Sequence, residues 1–309
     1  MEDIKFLELA LSEDVQKGIA AMGYETPSDI QREVIPLILE GKDAIGQAQT
    51  GTGKTLAFAA PMLSMMQKKG SVSAIILAPT RELAMQVSEE IERIAKFTGF
   101  KHLAVYGGSS IDTQIRALKR GVDIVVGTPG RVIDLMERRV LKLGEVDFLV
   151  LDEADEMLNM GFVEDIEKIM AGTSSDKQTM LFSATMPEEY KRLSKKYMRE
   201  DRVHIKVAVK SMTVSTVSQY YYEVREQVRF ETLCRIMDTE DMESVLVFCR
   251  TKRGVDELVS NLIDRGYNAA GMHGDMTQNI RISTLKKFKE RKLKFLVATD
   301  VAARGIDID

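Results

Sequence analysis

Ala48-Gln49-Thr50-Gly51-Thr52-Gly53-Lys54-Thr55 is the stretch of this chain with the clearest chemical content. The short apolar run Ala44-Ile45-Gly46 leads into it, and Leu56-Ala57-Phe58-Ala59-Ala60 follows with residues that favour a helix. A strand, a glycine-rich turn and a helix in that order make a cradle for phosphate. Backbone N–H groups of the turn converge on the anion, and the positive end of the helix adds to the attraction. Gly51 and Gly53 permit the positive φ angles and the close approach such a turn needs. Lys54 can reach the outer phosphates of a nucleoside triphosphate, and the Thr55 hydroxyl can sit on Mg²⁺. The phosphate-loop pattern G-x-x-x-x-G-K-S/T asks for glycine at position 48, where this chain has Ala48. A second stretch, Asp152-Glu153-Ala154-Asp155, stands behind the apolar run Phe148-Leu149-Val150-Leu151. A carboxylate at the end of a strand adjacent to a phosphate loop can hold the metal, and Glu153 beside it can orient and polarise an attacking water. Acidic residues also favour helix starts, but the lead-in strand and the phosphate loop agree on the chemical reading. Phosphoryl transfer asks mainly for positioning and charge neutralisation, which Lys54, Asp152 and Glu153 supply together with Mg²⁺.

These side chains need a frame, and the pattern predicts one. Short apolar runs over 74–78, 102–106, 123–127, 147–151 and 179–182 read as buried parallel strands separated by helical segments. The alternation argues a doubly wound parallel sheet. Polar clusters close each run: Pro79-Thr80-Arg81, Gly107-Gly108-Ser109, Thr128-Pro129-Gly130-Arg131, Asp152-Glu153 and Ser183-Ala184-Thr185. All lie at the C-terminal ends of strands, where open α/β sheets place their ligands. Upstream, residues 4–40 read as helices with a turn over 23–27. Ser28 or Asp29 can cap the next helix, and Gln31 sits in its first turn. The Gln31 amide donates and accepts at once, which suits the N6/N7 edge of adenine, although a solvated glutamine satisfies the pattern equally. Composition shifts to Lys, Ser, Thr and Val over 207–218, which reads as a linker. The alternation then restarts, with strands over 219–224, 245–248, 269–272 and 295–298 and helices over 227–238, 254–265 and 278–290, without a second phosphate loop.

With 309 residues, 44% apolar and 29% charged, the chain reads as a soluble globular protein of one large or two medium domains. No apolar run is long enough for a membrane span, and the acidic N-terminus is no signal peptide. Two cysteines without metal-site spacing suggest a reduced, cytoplasmic setting. Residues 1–206 hold 27 Lys and Arg against 32 Asp and Glu, and the remainder holds 16 against 15. Total charge therefore does not announce a nucleic-acid binder, and any such surface must be a local groove of arginines and backbone donors. The run 286–292 reads as a solvated helix face. The eighteen methionines read as packing, His102 and His204 as structural or surface residues, and Cys249 as a buried filler.

Taken together, the motifs resemble those of the DEAD-box RNA helicases, over essentially the whole chain. Residues 23–31, with Phe6 seventeen residues upstream, resemble the Q motif. Residues 48–55 resemble motif I, where that family usually shows alanine first. Residues 79–84, Gly107-Gly108 and 128–131 are similar to motifs Ia, GG and Ib. Asp152-Glu153-Ala154-Asp155 spells the family name, and Ser183-Ala184-Thr185 matches motif III. Residues 245–251, His273-Gly274-Asp275 with Gln278 and Arg281, and 298–307 resemble motif IV, the QxxR region and motif V. The resemblance implies two RecA-like domains, 1–206 and 219–309, that close around ATP and single-stranded or short duplex RNA, the second domain being incomplete. It implies that Phe6, Gln31, Ala48, Gln49, Thr50, Gly51, Thr52, Gly53, Lys54 and Thr55, with Gly305 and Asp307 across the cleft, bind ATP. Thr55 and Asp152 serve Mg²⁺, and Ser183 and Thr185 link the nucleotide to RNA remodelling. Pro79, Thr80, Arg81, Gly107, Gly108, Thr128, Pro129, Gly130 and Arg131 contact RNA from the first domain, and Arg250, Gly274, Gln278, Arg281 and Thr299 from the second. Such contacts to phosphate and sugar position without reading sequence.

The family continues past motif V to motif VI, whose arginines act on the γ-phosphate, and this chain stops at Asp309. The expectation is therefore a piece of a longer protein, monomeric, that binds ATP but hydrolyses it poorly and unwinds little. A non-catalytic ATP and RNA clamp or scaffold, and a DNA-directed helicase on the same core, stay open as alternatives.

Overall fold

In the computed structural model, residues 4–49, 51–207 and 217–299 are described. The chain divides into two compact units, Met1–Val209 and Lys210–Asp309.

The first unit is built on a seven-stranded sheet. Its strands are β1 (Ala44–Gln47), β2 (Ala74–Leu77), β3 (His102–Val105), β4 (Ile124–Gly127), β5 (Phe148–Leu151), β6 (Gln178–Ser183) and β7 (Val203–Lys206). They run in the order β3-β4-β2-β5-β6-β1-β7, and every pair is parallel. Parallel strands put all their C-terminal ends on one edge, as the alternation predicts. The central strands β2, β4, β5 and β6 are buried along their whole length because helices cover both faces. One face packs against α1 (Glu13–Ala21), α2 (Asp29–Leu39), α3 (Lys54–Met65) and α4 (Arg81–Ile94). The other packs against α6 (Pro129–Glu137), α7 (Ala154–Asn159), α8 (Val163–Ala171) and α9 (Glu188–Tyr197), with α5 (Ile111–Lys119) at the β3 edge.

Two details of this packing bear on the site. Gly46 on β1 lies opposite Phe182 on β6, and a Cβ at Gly46 would stand 2.5 Å from that ring. Glycine is therefore what lets the phosphate-loop strand close on its neighbour. Buried Asp43 ties the other end of the same strands by accepting the Thr179 and Arg199 N–H groups, each at 2.8 Å. A third close approach holds α1 to the end of α4, where a Cβ at Gly18 would stand 2.1 Å from the Ile94 carbonyl oxygen. Gly18→Ala gains about 1 kcal/mol of helix propensity, but the obstacle is backbone and cannot rotate away. A net loss of about 1–3 kcal/mol is expected, read as a lower midpoint in thermal denaturation. An unchanged or raised midpoint would show that α1 and α4 separate freely.

The second unit contains α10 (Arg229–Thr239), β8 (Val245–Cys249), α11 (Lys252–Asp264), β9 (Ala269–Met272), α12 (Gln278–Lys289) and β10 (Phe295–Thr299), with a parallel sheet ordered β8-β10-β9.

Three findings differ from the sequence reading. The strand expected over 219–224 is irregular, with Tyr220 and Tyr221 82% and 86% exposed. Its aromatic and β-branched residues favour a strand, but no ladder with the described strands forms there. A strand at 203–206, short and with only Ile205 buried, went unforeseen. The Asp152 strand β5 is not adjacent to the phosphate-loop strand β1, because β6 lies between them.

Candidate active site and nucleic-acid interface

The order of the strands sorts the functional residues into two groups along one edge. β5, β6 and β1 end in Asp152-Glu153, Ser183-Ala184-Thr185 and the phosphate loop, and β3, β4 and β2 end in Gly107-Gly108, 128–131 and 79–81.

At the phosphate loop, Gly53 takes the left-handed conformation (φ 82°) as the N-cap of α3, and Gly51 has φ 75°. Lys54 is therefore the first helical residue and Thr55 the second. The Lys54 side chain is buried, and its Nζ has no hydrogen-bond partner among the described residues. A buried ammonium in that state fits an anionic ligand. The loop is braced from below. Thr52 Oγ1 donates to the Gln49 carbonyl (2.7 Å), Ser28 Oγ donates to the Thr52 carbonyl (2.7 Å), and Gln31 Nε2 donates to the Gly53 carbonyl (2.9 Å). Gln31 Oε1 accepts the Ser28 N–H at 2.8 Å, closing a capping box at the start of α2. One N–H and one lone pair of the Gln31 amide remain, so the group expected to meet adenine also holds the phosphate loop. Phe6 lies in a short 3₁₀ turn (Phe6–Glu8), buried in the core, its N–H on the Glu25 carbonyl at 3.0 Å. Ala48 is buried, and its N–H donates to the Ser183 carbonyl at 3.0 Å.

The intervening strand β6 makes Ser183 the joint between the two acidic and phosphate-binding turns. Ser183 Oγ accepts the Asp155 N–H (3.2 Å) and donates to the Thr185 carbonyl (2.5 Å). Asp155 Oδ2 accepts both the N–H and the hydroxyl of Thr185, each at 2.8 Å. Tyr190 on α9, fully buried, donates its hydroxyl to the Ala154 carbonyl. Asp155 and Tyr190 were not singled out from the sequence as functional. The acidic tetrad offered a signal for Asp155, whereas Tyr190 reads only as a helix residue.

The carboxylates feel their surroundings strongly. Asp152 is buried, and desolvation pushes its pKa up, opposed by the Lys54 ammonium and by the Glu153 N–H on Oδ1 (3.0 Å). Glu153 is pushed up to about 7, first by burial and then by the Asp152 charge, with Lys54 again opposing. Lys54 thus acts electrostatically on both carboxylates, the convergence that triphosphate chemistry requires. Glu153 is also held in the left-handed region (φ 47°, ψ 50°), which costs a non-glycine residue about 1–2 kcal/mol. The linkage has a definite sign. The folded chain binds the Glu153 proton more tightly than an unfolded chain, whose pKa is near 4.5. This residue therefore favours folding fully below pH 4.5, and the contribution is lost as pH rises through 7. In the nucleotide-free protein, Glu153→Gln should raise the unfolding free energy at pH 8 by at most ~3 kcal/mol and leave it nearly unchanged at pH 4. An equal effect at both values would remove ionisation as the cause.

Along the other half of the edge, Thr80 is the N-cap of α4, its Oγ1 accepting the Leu83 N–H at 3.2 Å, with buried Pro79 before it. Arg81 lies against the Gly107-Gly108 turn, close enough that a Cβ on Gly108 would stand 2.2 Å from Nη1. Arg131 donates from Nη1 to Gln114 Oε1 (2.9 Å) and from Nη2 to the Ser109 carbonyl (3.3 Å), and Gln114 Nε2 is fixed by the Tyr106 carbonyl (3.1 Å). Buried Gln114 is a further residue the sequence reading missed. Thr128 caps α6, Pro129 opens it, and Gly130 is exposed with open space around it. Two guanidinium groups, a glycine turn and two helix N-termini in one row can bind a phosphate backbone.

In the second unit, Arg250 follows β8 and is exposed, Gly274 follows β9 in an exposed turn, and Thr299 ends β10. Gln278 and Arg281 lie buried in the first turn of α12. Lys252 pairs with Asp275 at 2.5 Å and buried His273 Nε2 with Asp256 at 2.9 Å, fixing the 273–275 turn against α11. Thr50, Gly305 and Asp307, with most of the expected linker and the end of motif V, lie outside the described residues. Among the described residues no cluster of three or more His, Cys, Asp or Glu could hold a metal by itself, and no helix is long and apolar enough to cross a membrane. One carboxylate, a hydroxyl and phosphate oxygens are the donor set Mg²⁺ prefers.

Comparison with known proteins agrees with this geometry. The family described as DEAD/DEAH box helicase matches residues 28–193, and that described as helicase conserved C-terminal domain matches residues 228–309. The chain is 53% identical over 306 residues to the DEAD-box ATP-dependent RNA helicase CshA of Streptococcus pneumoniae, covering 99% of this chain and 58% of that protein. It is 52% identical to CshA of Bacillus subtilis, covering 62% of it. The chain thus spans about three fifths of the length of these curated relatives. Among solved structures, a DEAD box protein from Methanococcus jannaschii is 46% identical, with a TM-score of 0.64 and coverage of 99% of this chain and 82% of that one. Saccharomyces cerevisiae Dbp5 bound to RNA and ADP BeF3 is 33% identical, with a TM-score of 0.88 and coverage of 98% and 78%.

Proposed function

The chain belongs to the DEAD/DEAH box helicase family, and from that premise we propose that it serves as an ATP-dependent RNA helicase, with residues 1–206 and 219–309 as its two RecA-like domains and 207–218 as their connection. The observation that carries the reading is the buried, unpartnered Lys54 ammonium acting on Asp152 and Glu153 behind a left-handed Gly53. The turn of Ala48, Gln49, Thr50, Gly51, Thr52 and Gly53 cradles the phosphates, and Lys54 neutralises their outer charge. Phe6 and the remaining valences of Gln31 face the adenine. Thr55 and Asp152 hold Mg²⁺, which supplies charge neutralisation at the phosphates when bound. Glu153 orients the attacking water and takes its proton, a role for which a carboxylate pKa raised toward 7 is suited.

RNA as the partner is supported by the likeness to Dbp5, solved bound to RNA and ADP BeF3. On this chain Arg81, Gly107, Gly108, Thr128, Gly130 and Arg131 bind the RNA backbone from the first unit, with Pro79 and Thr80 shaping their turn. Arg250, Gly274, Gln278, Arg281 and Thr299 do so from the second. The Asp155–Thr185–Ser183 network transmits the nucleotide state, since it ties the acidic turn to the strand whose carbonyl holds Ala48. Free Cys234 and Cys249 support a reducing, cytoplasmic setting for a monomeric protein. Titrating a fluorescent ATP analogue in the presence of single-stranded RNA, single-stranded DNA of the same sequence, or neither tests the proposal. RNA alone should tighten ATP binding and accelerate single-turnover hydrolysis. Equal stimulation by DNA points to a DNA-directed enzyme, and tight RNA binding with no turnover at all points to a clamp.

A further inference from the structure

Far along the first sheet from Arg81 and Arg131, the edge strand β7 pairs with β1 and with no other described strand. The ladder uses the N–H groups of Val203 and Val207, which donate to the Asp43 and Gln47 carbonyls at 2.9 and 3.1 Å. In a parallel ladder both backbone groups of alternate residues point the same way. The N–H and C=O of His204 and Lys206 therefore face outward. Beside this edge, between α9 and the β1–β7 pair, lies a cavity of about 340 Å³ lined by Lys191, Lys195, Arg202, His204, Glu200 and Ser194 over an apolar floor of Ile45 and Met186. Lys191 is held by Glu188 at 2.5 Å, and Arg202 Nη1 donates to the Arg199 carbonyl at 3.2 Å. Residues 188–206 carry seven Lys and Arg against four Asp and Glu, in a unit whose first 206 residues are net acidic by five. The cationic concentration is local.

We propose that the free edge of β7 and the cationic pocket beside it form a docking site for an extended acidic peptide segment of a partner protein, which adds to the sheet as an eighth strand. Each part of the surface selects for that occupant. The outward donors and acceptors alternate, and a peptide backbone matches both, whereas a phosphate chain matches only the donors. Alternate side chains of a strand share one face of the sheet, so carboxylates at every second position of the incoming strand turn toward the α9 side, where Lys191, Lys195 and Arg202 line the pocket. Positive side chains on an edge also repel self-pairing, so β7 is guarded against a second copy of itself while open to an acidic strand. The inference is independent of the helicase reading, because none of its residues belongs to the phosphate loop or the RNA row.

The probe is an acetylated, amidated nine-residue peptide alternating Glu and Val, labelled with a fluorophore and titrated against the full chain by anisotropy. Saturable binding is expected, weakened at least tenfold by Lys195→Glu with Arg202→Glu and by N-methylation of alternate peptide nitrogens. His204→Pro removes one outward N–H at an edge position that tolerates proline, and it should weaken binding while ATP-analogue affinity stays unchanged, showing that the unit is folded. Absence of saturable binding overturns the proposal. So does equal binding of the N-methylated peptide, which would mean charge attraction alone. Displacement of the peptide by a ten-nucleotide single-stranded RNA would assign the surface to nucleic acid instead.

Discussion

Replacing Glu153 with glutamine is expected to lower single-turnover ATP hydrolysis by about 10²–10⁴-fold while ATP affinity stays within about threefold of the parent chain. Asp152 follows β5 and Glu153 comes next, held in a left-handed backbone conformation at the N-cap of α7. Asp152, adjacent in sequence, is the more deeply buried and has the Glu153 N–H on its carboxylate. On the proposed function the two carboxylates divide the work: Asp152 holds fixed charge near Lys54, and Glu153 handles a proton. Burial and the Asp152 charge raise the Glu153 pKa to about 7, with Lys54 opposing, so the residue can both accept and release a proton near neutral pH. Glutamine keeps the volume and a hydrogen-bonding tip but accepts no proton. It also relieves the cost of ionising a carboxylate beside Asp152, so affinity for an anionic ligand has no reason to fall. The measurement pairs equilibrium binding of an ATP analogue with single-turnover hydrolysis in saturating RNA. Hydrolysis preserved to within a few-fold would remove Glu153 as the base, and lost ATP binding would mean that it shapes the pocket instead.

How much of this could be read from the residues depends on the kind of information each feature carries. Strand ends were legible because buried parallel strands are short apolar runs and their terminal residues are polar; Leu77, Gly127 and Leu151 end β2, β4 and β5 close to where the runs stop. Strand order was not legible, because it is decided by which helices fit over which face. The order nevertheless gives the site its logic: β6 between β1 and β5 places Ser183 where its carbonyl holds Ala48 and its hydroxyl meets Asp155. Second supports of the Gln114 and Tyr190 kind were also hidden, since a polar residue on a helix announces a partner only after the helix is docked. The strand expected over 219–224 failed for a related reason. Tyr220, Tyr221, Tyr222 and Val224 show that a segment can pair, whereas pairing itself depends on a neighbour the segment does not encode.

Gly53→Ala is the second substitution with a large expected effect, a loss of about 30–150-fold in ATP affinity, equivalent to about 2–3 kcal/mol. Two independent penalties combine. The φ of 82° at Gly53 costs an L-residue about 1–2 kcal/mol. A Cβ there would also stand 2.2 Å from Gln31 Nε2, the amide that donates to the Gly53 carbonyl, so the clasp must open and a hydrogen bond worth about 1 kcal/mol goes with it. Gly51 separates the two terms. Its φ is 75°, but a Cβ there would meet nothing within 4 Å, so Gly51→Ala carries the conformational cost without the collision. The expected ranking is parent, then Gly51→Ala, then Gly53→Ala. Adding Gln31→Ala completes a cycle in which the collision is absent from the start. The Gly53→Ala penalty should then shrink toward that of Gly51→Ala, giving a coupling energy of about 1 kcal/mol. Additive effects would mean that Gln31 and the phosphate loop act separately, and the reading of Gln31 as a residue joining base recognition to phosphate binding would have to be abandoned.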